Sequence, residues 1–135
     1  MLYVVGSVLV RNNKILLPKR SPSLKIYPNL YEFPGGKVEH GETLKEALKR
    51  ELSEELSIDV DVCDIIEFDN NVLTTDKLIL TIFIIKKWNN ELKINPEINS
   101  EILEIDINQL ENVENLLETD MLLIPHILKT LSHRD

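Results

Sequence analysis

Gly35-Gly36-Lys37-Val38-Glu39-His40-Gly41-Glu42-Thr43 runs directly into Leu44-Lys45-Glu46-Ala47-Leu48-Lys49-Arg50-Glu51-Leu52-Ser53-Glu54-Glu55-Leu56-Ser57-Ile58. A glycine-rich segment opens this stretch and a charged helix closes it. Thr43 with Glu46 three residues on forms a capping box, in which each partner satisfies an orphan amide of the first turn. The two glycines permit a tight turn with positive φ, and they also allow backbone carbonyls to approach a ligand closely.

At a helical step of about 100° per residue, Leu44, Ala47, Leu48, Leu52 and Leu56 share one arc. Glu51 and Glu55 fall inside that arc, Glu54 lies on its flank with Arg50 just beyond, and Lys45 sits in the first turn. A purely structural helix keeps its carboxylates opposite the apolar stripe, and an uncompensated buried carboxylate is costly. Arg50 can neutralise one, and a divalent cation suits the rest, since hard oxygen donors favour Mg²⁺ or Mn²⁺. The competing account is an acidic helix with solvated pairs such as Glu46–Arg50 and Arg50–Glu54. Spacing alone does not choose between them.

The register of these residues resembles the Nudix hydrolase signature: Gly36, Glu42, Arg50-Glu51, Leu52, Glu54-Glu55 and Ile58 occupy its fixed positions. One departure is present. Ser57 stands where the family has Gly, after the helix end where a left-handed residue is wanted, so it removes stability but no ligand. The preceding Leu30-Tyr31-Glu32-Phe33-Pro34-Gly35 is similar to the same segment of the MutT-like branch. The resemblance implies metal ligation by the Gly35 carbonyl, Glu51, Glu54 and Glu55. It implies a supporting or outer-ligand role for Glu42, and catalytic roles for Arg50, Glu51 and Glu54. Arg20, Phe33 and Asp120 match substrate-contacting positions. Many members place a further Glu in a downstream loop as ligand or general base; Glu97 is the first candidate here and Glu101 the second, each equally readable as a solvated carboxylate.

Composition frames the same reading. The 135 residues suffice for one domain with a real core, and residues 1–135 are expected to form a single unit. Net charge is −8, which disfavours nucleic acid and would repel a bare polyphosphate unless a metal and local cations reverse the field. The single cysteine, Cys63, excludes an internal disulfide and fits a reducing compartment; its alternating surroundings predict a packed thiol. No basic leader precedes the first apolar run and none is long enough to span a membrane, so the expectation is a cytoplasmic protein, monomeric or homodimeric.

Along the chain, Tyr3 to Val10, a turn at Arg11-Asn12-Asn13-Lys14 and Ile15 to Leu17 predict a hairpin. Lys19 and Arg20 lead into a loop, and Tyr31 to Phe33 reads as a short strand. Ile58 to Glu67 reads as a half-buried strand, Asp69-Asn70-Asn71 as a turn, and Leu78 to Lys87 as a long strand ending near Trp88. Asn89-Asn90 turns into a strand over Glu91 to Ile94, and Ile102 to Ile107 forms another. A short helix follows over Asp106 to Asn112. Pro125 kinks or delays a C-terminal helix over Met121 to Leu131, for which Asp120 fits an N-cap; that role can coexist with a base contact. His40 reads as an exposed loop residue, and His126 and His133 show no ligand pattern.

These elements predict an α+β layered domain, and the resemblance sharpens it to the Nudix α/β/α sandwich with a mixed central sheet. It implies Mg²⁺-dependent hydrolysis of a (deoxy)nucleoside triphosphate to monophosphate and pyrophosphate, with Mn²⁺ able to substitute. No Pro lies between Pro34 and Pro96, all three Tyr lie upstream of the signature, and the SQPWPFPxS extension is missing. By family analogy these features point away from ADP-ribose, dinucleoside polyphosphates and NADH, and toward triphosphates that include 8-oxo-dGTP. The alternatives are one of those other nucleoside diphosphate derivatives, a non-catalytic nucleotide-binding domain, or a chance match in an acidic domain without metal chemistry.

Overall fold

The computed structural model describes residues 1–132, and the side chains of these except at 68–74 and 132. His133 lies outside the described residues. Six strands form one mixed sheet: β1 (Leu2–Arg11), β2 (Lys14–Arg20), β3 (Gly35–Lys37), β4 (Ile65–Thr74), β5 (Leu78–Ile85) and β6 (Asn99–Asp106). Their order is β4-β5-β1-β2-β6, with β3 also paired to β1. β1 runs parallel to β5 from Leu2 to Leu9. Its other edge is shared. Leu9 to Arg11 pair with the hairpin partner β2, and Val4 to Gly6 pair antiparallel with β3. The splaying of β2 away from β1 makes room for the glycine segment to join the sheet.

Both faces of the sheet are covered, which is why β1 and β5 read as continuous apolar runs. Val8, Val10, Leu80, Ile82 and Ile84 pack against Leu123, Ile124 and Ile127. Val5, Leu9, Phe83 and Ile85 pack against Ala47, Leu48, Leu52 and Leu56 of helix α1 (Leu44–Leu56). Two short helices, α2 (Glu118–Met121) and α3 (Ile124–Ser132), cover the first face. The expected sandwich with a mixed central sheet is what the chain forms.

Several local expectations are corrected. Gly35 and Gly36 are in strand β3, not a positive-φ turn; among the described glycines, Gly41 alone has positive φ, at 86°. Tyr31 makes only isolated bridges, because the Phe33 amide turns to the Asp120 side chain and Pro34 donates none. Val62–Asp64 is a 3₁₀ turn capped by Asp61, so the strand begins at Ile65 and Cys63 is exposed rather than packed. Residues 69–71 lie within β4, whose ladder to β5 shifts register between Glu67 and Val72, absorbing extra residues without reversing the chain. Glu91 to Ile94 is not a strand. Its backbone instead closes the end of α1, with Lys93 N–H donating to Leu56 O and Asn95 N–H to Glu55 O, at 2.8 and 3.1 Å. Asp106 to Asn112 forms a 3₁₀ helix over Ile107–Asn112, and the C-terminal helix starts late, at Ile124, so Pro125 occupies its first turn.

Candidate active site

Helix α1 begins as its sequence predicts: the Thr43 hydroxyl accepts from Glu46 N–H and the Glu46 carboxylate from Thr43 N–H, at 3.1 and 2.9 Å. It ends on Ser57, which adopts φ 61° and donates its N–H to Ser53 O. Between these ends Ala47, Leu48, Leu52 and Leu56 are fully buried, and Glu55 goes down with them. Glu51 is half-buried beside it and Glu54 is exposed.

Arg50 gathers the acidic groups outside the pocket. Its guanidinium grips Glu42 as a fork, Nε to Oε2 at 2.7 Å and Nη2 to Oε1 at 2.9 Å. The Nη1 group reaches Glu51 at 3.0 Å and Glu54 at 3.4 Å, and Nη2 also donates to Lys37 O at 3.0 Å. This fork holds the Glu42 carboxyl down to about 2, and Arg50 itself is held more firmly protonated than usual. Glu42 is thereby assigned to Arg50 and leaves the others for different work. The Glu51 carboxyl is pushed up by burial, with Arg50 opposing.

Gly36 explains how Glu51 fits. A Cβ there would lie 2.5 and 2.6 Å from the two Glu51 carboxylate oxygens, so the missing side chain is the space the carboxylate uses. A Cβ on Gly35 would collide with the Val5 carbonyl across the β1–β3 ladder. Close approach, not turn geometry, requires both glycines.

A pocket of about 210 Å³ opens where β1, β3 and the segment 30–34 meet the C-terminal face. Val4, Leu80 and Ile82 supply apolar wall, and Arg20, Glu32, Phe33, Gly35, Gly36, Glu55 and Asp120 supply the rest. The Glu55 Oε2 atom is buried with no hydrogen-bond partner. Burial, reinforced by Glu32 and Glu51, pushes its carboxyl up to about 9, and the Gly35 N–H offsets this in part. Asp120, 5% exposed, accepts the Phe33 N–H through Oδ2 at 2.9 Å. Burial raises its carboxyl to about 7. It sits inside α2 and does not cap α3, so the capping role is replaced by this tie to Phe33.

Arg20, Phe33, Gly35, Glu55 and Asp120 are thus brought together at one pocket, with Glu51 reaching Gly36 from the helix. Glu97 is not among the pocket residues: it is exposed, its N–H donating to Asn95 Oδ1 at 3.1 Å. Glu101 is engaged on the sheet by Lys19 at 3.4 Å and the Tyr31 hydroxyl at 3.3 Å. Sequence reasoning gave no role to Glu32, which is 7% exposed in the pocket and pairs with Arg20 at 3.0 Å. A carboxylate between two aromatics in an otherwise apolar segment was the signal available.

Buried oxygen donors with an orphaned atom suit a hard divalent cation: Glu55 and the Gly35 carbonyl from the pocket, with Glu51 and Glu54 from the helix, could hold one. Arg50 keeps Glu51 and Glu54 on its own side, so the three signature carboxylates do not converge as a tight trio. Among the described residues the group at mutual ligand spacing, within 4.8 Å, is Asp61, Cys63 and Asp64. That group is on an exposed turn where Asp61 already caps the Cys63 N–H at 3.1 Å, and Asp61 holds the thiol up in its protonated form. It lacks the buried, unpartnered oxygen that marks the pocket.

Comparison with known proteins finds matches in family, sequence and fold. A family model described as the NUDIX domain matches residues 2–126. A Proteus vulgaris protein named 8-oxo-dGTP diphosphatase is 34% identical over 87 residues, 64% of this chain and 77% of that protein. An Escherichia coli (strain K12) protein named CTP pyrophosphohydrolase is 47% identical over 62 residues, 46% of this chain and 45% of its own length. The fold superposes on a crystal structure of a MutT NUDIX hydrolase from Burkholderia pseudomallei with a TM-score of 0.78 at 20% identity, covering 93% of this chain and 97% of that one.

Proposed function

The chain belongs to the Nudix hydrolase family, and from that premise we propose that it hydrolyses a (deoxy)nucleoside triphosphate to the monophosphate and pyrophosphate, assisted by Mg²⁺. The observation that carries this reading is the pairing, in one pocket, of an orphaned carboxylate oxygen on Glu55 with the Asp120–Phe33 edge. One end suits a metal-bound phosphate and the other a base. Relatives named 8-oxo-dGTP diphosphatase support oxidised purine triphosphates as the first substrates to try.

When bound, Mg²⁺ would supply charge neutralisation at the phosphoryl oxygens and polarise the attacking water. The chain's own groups do the rest. Arg50 orients Glu51 and Glu54 through charge-assisted hydrogen bonds. A carboxylate of this set, or Glu97 if its loop closes on the bound nucleotide, takes the proton as water attacks phosphorus in line. Arg20 contacts the nucleotide's anionic side. Phe33 and Asp120 face the base; ionised, Asp120 accepts only and so selects an edge presenting N–H donors, as guanine does. Excluding water from the apolar wall of Val4, Leu80 and Ile82 strengthens each of these contacts.

The test is a panel of normal and oxidised nucleoside triphosphates, with ADP-ribose and a dinucleoside polyphosphate, assayed with Mg²⁺ for pyrophosphate and monophosphate. Glu54→Gln is expected to lower kcat by about 10²-fold or more while melting as the wild type does. No turnover on any nucleotide by a folded, Mg²⁺-binding protein would refute hydrolysis and leave a binding domain.

A further inference from the structure

Arg20 and Glu55 line the same pocket. Glu55 Oε2 is buried without a partner. Arg20, the cation that could satisfy it, is occupied: Nη1 donates to Glu32 Oε2 at 3.0 Å, Nη2 to Ile26 O at 2.9 Å, and Nε is shared between the carbonyls of Ile26 and Tyr27 at 3.2 and 3.1 Å. Of these acceptors Glu32 alone is charged, and it is buried, so it is the one able to compete with a second carboxylate for a guanidinium. An arginine lining the same pocket should close on that oxygen, because a buried polar atom left without a partner is costly. In this fold it does not.

We propose that Glu32 is a positioning residue that holds Arg20 away from Glu55 and so keeps the cation site open. The inference rests on the pocket's being the cation and nucleotide site described above. Its logic is competition within one pocket. With Glu32 present, Arg20 is fixed toward the loop 21–30 and presents its two remaining N–H groups, one on each terminal nitrogen, to an incoming anion. With Glu32 neutralised, Arg20 is released from its ionic partner, pairs with Glu55, and places a guanidinium where a divalent ion would bind. Glu32 therefore needs no contact with the metal to govern its affinity. The Arg20 backbone stays put in either case, anchored by Arg20 N–H to Leu30 O and Asn29 N–H to Arg20 O at 2.8 and 3.0 Å, so the side chain is the moving part.

The experiment is a double-mutant cycle on Mn²⁺ affinity, read by electron paramagnetic resonance without substrate. Wild type, Glu32→Gln, Arg20→Met and the double variant are compared, each checked for its melting temperature. Glu32→Gln should weaken Mn²⁺ binding about tenfold, the scale seen when a residue behind a ligand is removed. Removing Arg20 should strengthen binding at least fivefold more in the Glu32→Gln background than in the wild type. That non-additivity separates competition from simple loss of a nearby charge, which would give equal effects in both backgrounds. Equal effects, an unchanged Glu32→Gln affinity, or a double variant as weak as Glu32→Gln would overturn the proposal; the last would make Glu32 itself a ligand. Should Glu32→Gln fail to fold, Glu32→Asp, one methylene too short to hold Arg20, must show the same direction. A wild type that binds no Mn²⁺ would refute the reading of the pocket as a cation site and this inference with it, whereas wild-type binding with additive effects refutes the inference alone.

Discussion

Replacing Gly36 with Ala tests the site by adding one methyl group. The new Cβ would stand 2.5 and 2.6 Å from the Glu51 oxygens, whereas ordinary contact begins at 3.4 Å, so the carboxylate must retreat by about 0.9 Å. Glu51 then loses either its 3.0 Å bond from Arg50 or its place over β3. A displacement near 1 Å in a positioned catalytic group lowers the rate about 10²-fold, close to 2.7 kcal/mol of transition-state stabilisation. Stability should hardly change, since Gly36 lies in a strand without positive φ and Ala restricts the unfolded chain more than Gly does. The assay is Mg²⁺-dependent pyrophosphate release alongside thermal melting. Gly35→Ala is the contrast: its Cβ meets the Val5 backbone and cannot be accommodated by a rotamer, so that variant should lose stability outright. Gly36→Ala turning over within threefold of wild type, with an unchanged melt, would refute the idea that this glycine exists for Glu51.

Three further outcomes follow from the same geometry. Ser57→Gly should raise stability by roughly 0.5–1 kcal/mol and the melting temperature by about 2–5 °C, because a non-glycine residue at φ 61° is strained and the cap bond to Ser53 O is kept; calorimetry showing no gain would mean the strain is relieved locally. Asp120→Asn should flatten the pH dependence of unfolding. The folded carboxyl titrates near 7 against 3.8 unfolded, so between those values the native state binds the proton more tightly and stability falls as pH rises, with the whole penalty present above 7. Urea denaturation at pH 5, 6 and 8 should therefore show the variant gaining on wild type as pH increases, and a parallel decline would sink the assignment. Arg50→Lys cannot reproduce the fork on Glu42; its kcat should drop by about 10–10²-fold with KM nearly unchanged, and the reverse split would mean Arg50 binds substrate rather than orienting carboxylates.

The helix and its capping box were legible because local spacing decides them, and Glu55 was foreseen as buried because the leucines on its face dictate it. The hairpin and β5 were equally plain, being runs rich in β-branched residues, with Asn12-Asn13 turning the hairpin. What sequence could not supply were contacts set by distant partners. The Phe33 amide is claimed by Asp120, 87 positions away, and this removes the strand expected at Tyr31 to Phe33. The helix's last carbonyls are claimed by Lys93 and Asn95, which removes the strand expected at Glu91 to Ile94. Glu32 escaped notice for the same reason. Its partner Arg20 lies across a loop, and nothing in the order of residues announces that pairing.

The closure of α1 by the segment after Trp88 carries a mechanical consequence. A helix normally finishes with carbonyls facing water, yet here two of them, on Glu55 and Leu56, are bolted to Asn95 and Lys93. The same Asn95 whose N–H is fastened to Glu55 lends its side chain to the N–H of Glu97. Helix end and loop therefore behave as one lever with its fulcrum at Asn95. A tilt of the helix end would therefore be transmitted through two hydrogen bonds to the loop bearing Glu97.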